Sequence, residues 1–205
     1  MSLFHQLMEK PWLTPGVAAV DLSHRRAFAL PTVTLGLRVL LAVLTVVFTL
    51  LVVAYADRMS LGDWRPLPDP WLLWLNTALL ILSSVGLQWA LVCVRVGRMD
   101  GVKAGLIAGG GFAFAFLVGQ LLAWQEMVSL GYFATTNPAN SFFYLITAVH
   151  GLHLLGGLVA WGRTADKVWR GFEAGRLQLS VELCAVYWHF LLVVWLVLFG
   201  LLLFT

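Results

Sequence analysis

The feature that most constrains the fold of this chain is a series of five long apolar runs separated by short polar segments. The runs occupy about residues 33–56, 71–94, 104–128, 141–162 and 181–204. Each has roughly 20 residues or more, which at about 1.5 Å of helical rise per residue crosses a hydrocarbon layer about 30 Å thick. The sequence therefore predicts an all-α polytopic membrane protein, with a five-helix transmembrane domain over residues 33–205 after an N-terminal segment over residues 1–32.

The composition supports a membrane protein and excludes some other classes. Of the 205 residues, 60% are hydrophobic and 11% are charged, whereas soluble domains are about a quarter charged. Lys and Arg are spread over short loops instead of clustering on one face, so no nucleic-acid partner is expected. Cys93 and Cys184 lie in apolar runs, which predicts buried thiols rather than a disulfide framework.

The distribution of basic residues predicts the orientation. Residues 1–32 and the loops at 95–103 and 163–178 share one side and hold ten Lys and Arg, whereas the loops on the opposite side hold only Arg58 and Arg65. Cytoplasmic loops carry the excess of basic residues in membrane proteins. The N-terminus is therefore predicted to be cytoplasmic and the C-terminus to lie outside.

Ionisable side chains inside the apolar runs are candidates for function, because each costs about 2.5 kcal/mol or more at the bilayer centre unless it finds a partner. His150 and His153 lie in the fourth run, and Glu182 and His189 belong to the fifth. The helical rise places His153 and His189 each roughly 12 Å from the cytoplasmic face, with Glu182 two turns before His189. We therefore expect the two imidazoles to meet where helices four and five contact, with Glu182 on the same polar strip.

Three interpretations of this polar strip are open. A transition-metal site requires three or four converging ligands, but Glu182 lies about 10 Å from His189 along the helix. A haem site requires axial histidine pairs on facing helices, and a two-haem cytochrome needs four histidines where the runs supply three. The third interpretation, which we favour, is structural: the groups hydrogen-bond one another and backbone carbonyls, or face lipid headgroups or a partner subunit.

Small residues and tryptophans add expectations about helix packing. Gly101, Gly105 and Gly109 repeat every four residues in the third run, a spacing that lets another helix approach closely. The alternative is that the membrane helix merely tolerates these glycines. Five tryptophans lie near the ends of the runs, where indoles act as interfacial anchors: Trp71, Trp74, Trp124, Trp161 and Trp169.

Several stretches resemble subunit III of the haem–copper terminal oxidases. They are Phe143-x-x-x-Thr147-x-x-His150-Gly151-x-His153 in the fourth run, Tyr187-Trp188-His189-Phe190 followed by Val193-Val194-Trp195 in the fifth, and LNTALLILSSVGLQWA over residues 75–90 in the second. Tyr55 and Arg58 match the Y-x-x-R that closes the preceding helix in that family. The resemblance extends over roughly residues 35–205, and the number of helices is that of the shorter bacterial members.

The resemblance implies a chain without a haem, copper or proton-pumping centre of its own. Such a chain packs against the catalytic subunit I and subunit II, which hold haem and copper, in the bacterial inner membrane. A mitochondrial inner membrane is the less favoured alternative. It binds phospholipid between helix groups and supports complex stability and proton uptake. The resemblance assigns no catalytic, cofactor or metal residue, and the residues we expect at structural, lipid or subunit contacts are His150, His153, Glu182, His189, Tyr187, Trp188, Trp195, Gly105 and Gly109.

The sequence also departs from the family pattern. Val43 and Leu44 stand where the family has S-E, Ala123 ends the Q-x-x-E motif that begins at Gln120, and Leu192 replaces an aspartate. Glu126, three residues beyond Ala123, is a candidate substitute for the missing carboxylate. Roles in proton uptake that depend on those carboxylates therefore do not transfer to this chain.

The expected function is that of a non-catalytic subunit III of a cytochrome c oxidase-like complex in aerobic electron transport. An accessory chain of a quinol oxidase or a nitric oxide reductase is the alternative. A stand-alone metal- or haem-binding membrane protein is a remote one. The chain contributes to an oxidoreductase only as part of a complex, since no catalytic centre is expected in it.

Overall fold

The computed structural model describes residues 32–61, 64, 71–171 and 174–203, with backbone alone at 174–176. Helices are the only regular secondary structure in these ranges. All five are long and apolar enough to cross a membrane, which confirms the predicted five-helix membrane fold. The helices are α1 (Thr32–Met59), α2 (Trp71–Arg95), α3 (Met99–Ser129), α4 (Pro138–Trp169) and α5 (Ala174–Leu203).

The chain divides into two units, residues 1–39 and residues 40–205. Of the first unit, only Thr32–Val39, the beginning of α1, is described. The predicted cytoplasmic segment therefore lies outside the described residues, apart from Thr32. All the candidate site residues belong to the second unit. The orientation of the helices in the membrane stays a prediction from the basic residues.

Local sequence signals set the helix ends. Asn137 caps α4 by accepting a hydrogen bond from the backbone N–H of Ala139 at 3.2 Å, and Pro138 occupies the first helical position, where its missing N–H costs nothing. After α2, Gly97 takes a φ of 73°, and the Arg98 N–H bonds to the Cys93 carbonyl at 2.9 Å. This left-handed glycine closes the helix and turns the chain back.

The predicted and observed helix boundaries differ most after the fourth run. The charged stretch 163–178 was expected to be a loop, but α4 continues through it to Trp169 and α5 begins at Ala174. Charged residues are compatible with a helix once it has left the hydrocarbon layer. In this stretch the turn comes at Arg170 and Gly171, where the glycine has a φ of 70°.

Four of the helices form a closed ring. Helix α2 contacts α3 and α5, and α4 also contacts α3 and α5. Short connections make consecutive helices antiparallel, and the contacts of α2 with α5 run antiparallel as well, from Arg95–Glu182 at one end to Trp74–Phe199 at the other. The ring encloses fully buried side chains from all four helices, among them Leu87, Phe116, Ile146 and Trp188.

The closest approach in the ring is between α2 and α3, along the glycine face predicted from the sequence. A Cβ atom on Gly105 would lie 2.7 Å from both the Ala90 nitrogen and the Gly86 oxygen, and one on Gly109 would lie 2.8 Å from Leu87 Cγ. These glycines are therefore required by a backbone-to-backbone contact within the chain. The prediction of a close helix contact is confirmed.

Helix α1 stands apart from this ring. No Cα atom in its second-unit part, Leu40–Met59, lies within 8 Å of a Cα atom in another helix. Only 17% of its most apolar window is buried, compared with 39–50% for the other four helices. Leu44, Phe48 and Tyr55 are its buried side chains, so α1 is held by a few large side chains instead of a continuous helix interface.

We expect Gly105→Leu to destabilise the protein, because the atoms around Gly105 are largely backbone and cannot move aside. Overpacking typically costs about 1–3 kcal/mol. The measurement is the thermal unfolding midpoint of the detergent-solubilised chain, followed by circular dichroism, together with the yield of monodisperse protein.

Gly111→Leu is the matched control, since a Cβ there meets nothing within 4 Å. Equal midpoints and yields for the two variants would contradict a close α2–α3 contact.

Candidate functional site

His150 lies at the centre of the second unit, where α4 faces α1, α3 and α5. Its side chain is 0% exposed, and its ring centroid lies 6.3 Å from that of Phe48, 5.8 Å from Phe116 and 5.1 Å from Trp195. Neither ring nitrogen has a hydrogen-bond partner among the described residues. The imidazole therefore packs as one more aromatic ring, and its unsatisfied nitrogens carry a desolvation cost of about 1–3 kcal/mol.

His153, one turn further along α4, supports α1. Its ring centroid is 5.4 Å from that of Phe48, and its Nδ1 lies 2.7 Å from the Val149 carbonyl oxygen of its own helix. A carbonyl oxygen can only accept, so Nδ1 carries the proton in this bond. Phe48 thus contacts both histidines of α4, and this pair of ring contacts links α1 to the ring of helices.

His189 points elsewhere. Its Nδ1 lies 2.5 Å from the Ala185 carbonyl oxygen of α5, and its side chain lines a groove between α5 and α2. The ring contacts of the described residues include none between His153 and His189. The expectation that these two imidazoles meet at the α4–α5 contact is wrong. Their depths follow from the helical rise, but each helix turns its histidine toward a different neighbour.

Glu182 is not part of a histidine strip either. Its carboxylate lies 3.8 Å from the Arg95 guanidinium at the end of α2, and the two side chains are 43% and 51% exposed. An ion pair this exposed contributes little stability. Glu182 and His189 do share a face of α5, as their spacing of seven predicts, but that face is turned to α2 instead of α4.

The predicted aromatic residues of α5 form hydrogen bonds between helices. The Tyr187 hydroxyl donates to the His153 carbonyl at 3.0 Å, which ties α5 to α4. The Trp195 indole N–H donates to Thr77 Oγ1 at 3.0 Å. The structure thus brings four members of the predicted set into the packing around α4 and α5: His150, His153, Tyr187 and Trp195.

Trp188 begins a buried relay through three helices. Its indole N–H donates to Ser83 Oγ at 2.8 Å, and the Ser83 hydroxyl donates to the Gly109 carbonyl at 2.6 Å. Trp188 and Ser83 are both 0% exposed. The relay joins α5 to α2 and α2 to α3, and it ends at a predicted glycine.

The sequence did not predict several other hydrogen bonds between the helices. Asn76 Nδ2 donates to Gln120 Oε1 at 3.2 Å between α2 and α3. The Trp124 and Trp161 indoles, which were expected to be interfacial anchors, donate to Thr147 Oγ1 and the Leu106 carbonyl, each at 3.0 Å. A usable signal was present in α2, where the pairs Asn76-Thr77 and Ser83-Ser84 recur after seven residues and all four are buried.

The described residues do not offer a convergent set of ligands for a metal ion. No three His, Cys, Asp or Glu side chains among them come together as a metal site requires. The donor atoms also point away from one another: His150 is enclosed by aromatic rings, and the Nδ1 atoms of His153 and His189 are each engaged by a backbone carbonyl. The arrangement suits packing between helices.

Comparison with known protein families identifies the family of this chain. The family model described as "Cytochrome c oxidase subunit III" matches residues 31–204, which include all five described helices up to Leu203. The chain belongs to the cytochrome c oxidase subunit III family. The resemblance seen in the sequence motifs of α2, α4 and α5 is therefore confirmed.

Individual subunit III proteins are similar over most of the helical region. The chain is 30% identical over 132 residues to the "Cytochrome c oxidase subunit 3" of Thermostichus vulcanus, covering 62% of this chain and 63% of that protein. It is 31% identical over 150 residues to the protein of the same name from Synechocystis sp., covering 69% of this chain and 62% of the relative. With the "Probable cytochrome c oxidase subunit 3" of Mycobacterium bovis it shares 29% identity over 142 residues, covering 67% and 70%. The chain thus spans a little under two thirds of the first and second of these relatives.

The departures from the subunit III pattern have structural counterparts. Leu44 is buried and Val43 is 54% exposed on α1, so an apolar pair occupies the position of the family's S-E. Gln120 pairs with Asn76, and Ala123 is fully buried. Glu126 is partly exposed toward the end of α3. Its role as a substitute for the missing carboxylate stays a prediction.

We expect Phe48→Ala to loosen α1, because Phe48 fills the space against His150 and His153 and no helix-to-helix contact replaces it. In a bilayer the substitution loses van der Waals packing, and not the free energy of transferring an apolar side chain from water. The expected loss of stability is on the order of 1 kcal/mol or more. The measurement is hydrogen exchange by mass spectrometry on the solubilised chain, where exchange in α1 should rise while that of α2–α5 stays unchanged.

Leu50→Ala on the 62% exposed face of α1 is the control and should leave exchange unaltered. His153→Ala, which removes one of the two ring contacts, should have the smaller effect of an aromatic pair, about 1 kcal/mol. Unchanged exchange in α1 of the Phe48 variant would show that this contact does not hold the helix.

Proposed function

We propose that the chain is the non-catalytic subunit III of a haem–copper terminal oxidase in a bacterial inner membrane. In this role it packs against the catalytic subunit I and subunit II, and electron transfer takes place at the haem and copper centres of those partners. The family relationship over residues 31–204 supports the association with an oxidase complex. The names of the relatives favour a cytochrome c oxidase over a quinol oxidase or a nitric oxide reductase.

The observation that carries the proposal is how the intramembrane polar side chains are used. Indoles, hydroxyls and amides join α2 to α3, α3 to α4, α4 to α5 and α5 to α2. Two of the three histidines bond to carbonyls of their own helices, and the third packs against aromatic rings. Side chains used in this way make a rigid helical scaffold, which is what a supporting subunit supplies to its neighbours.

A second part of the proposal is phospholipid binding beside α1. Because α1 stands off from the ring, an apolar cleft of about 250 Å³ remains between it and α5, lined by Thr45, Phe48 and Val52 of α1 and by Phe190, Val193 and Val197 of α5. An apolar cleft open to the bilayer accommodates an acyl chain. Through bound lipid and subunit contacts the chain stabilises the complex and supports its proton uptake, although Leu44 and Ala123 stand where the family has carboxylates.

The subunit proposal predicts that the affinity-tagged chain, extracted in a mild detergent, co-purifies with haem-containing partner chains. The visible spectrum of that complex should show haem absorption. After the complex is dissociated, the fraction containing this chain alone should show no Soret band and no stoichiometric metal.

Two results would contradict the proposal. Purification of the chain without any haem-containing partner would contradict its membership of an oxidase complex. A Soret band or tightly held metal that stays with the isolated chain would instead favour a stand-alone haem or metal protein.

The lipid proposal predicts that Val193→Trp lowers the number of phospholipid molecules retained by the purified complex, because the indole fills the cleft between α1 and α5. Val193 is 59% exposed, so the larger side chain meets no core residue. The measurement is lipid mass spectrometry against total protein. Val118→Trp on α3, at a residue 56% exposed, is the control, and equal lipid content in the two variants would refute lipid binding in this cleft.

A further inference from the structure

We draw no further inference here: the strongest candidate, the set of buried polar atoms on Asn76, Gln120 and His150 in the core of the ring, lacks hydrogen-bond partners among the described residues but is closed off by the side chains packed around it, so no space at these atoms is open to a ligand.

Discussion

Inside the hydrocarbon layer a polar side chain has no water molecule as a hydrogen-bond partner, and the packing of this protein depends on that constraint. Trp188, Ser83 and the Gly109 carbonyl form one continuous relay through three helices. Because Ser83 is buried at the point where α2 passes both α3 and α5, its hydroxyl accepts from one neighbour and donates to the other. Because this hydroxyl both donates and accepts, it fixes the rotation of α2 about its axis relative to α3 and α5. Apolar packing alone constrains that rotation less, since it has no directional bond.

The same relay explains why small residues and large indoles alternate around the ring. Gly105 and Gly109 let the backbones of α2 and α3 approach so closely that no space remains between them for a side chain at either position. Elsewhere the space is filled by aromatic residues that lie against glycines, as Tyr187 and Trp188 lie against Gly157, and Trp161 against Gly110. Each of these indoles also has an N–H that must be paired, so close packing and hydrogen bonding are met by the same residues. Helix α1 lies outside the ring and contacts it through large side chains such as Phe48.

The parts of the fold that follow from one-dimensional rules could be predicted, and those that depend on helix rotation could not. Apolar run length determines the number of spans, and the rise per residue places His153 and His189 at similar depths. The direction of each ring depends on how a helix is turned about its axis, which polar partners such as Thr77 and Ser83 settle. Those partners lie more than 100 positions away from Trp195 and Trp188, and a spacing argument within one helix does not reach them. Trp124 and Trp161 were misjudged for the same reason, since an indole near a span end serves equally as an interfacial anchor or as a donor to the next helix.

The polar side chains of the membrane helices finally separate into two sets with different consequences. Those that are paired within the chain, such as Asn76 with Gln120, hold the ring together. Among the described residues, the buried polar atoms without a partner include both ring nitrogens of His150, which aromatic rings enclose, the Ser84 hydroxyl, and one side-chain amide atom each of Asn76, Gln120 and Asn140. An unsatisfied group in a sealed core lowers stability, because its desolvation is not compensated by a hydrogen bond. The hydrogen bonds that join α2 to α3, α3 to α4, α4 to α5 and α5 to α2 therefore hold the ring in one arrangement, although some of its buried polar atoms stay unpaired.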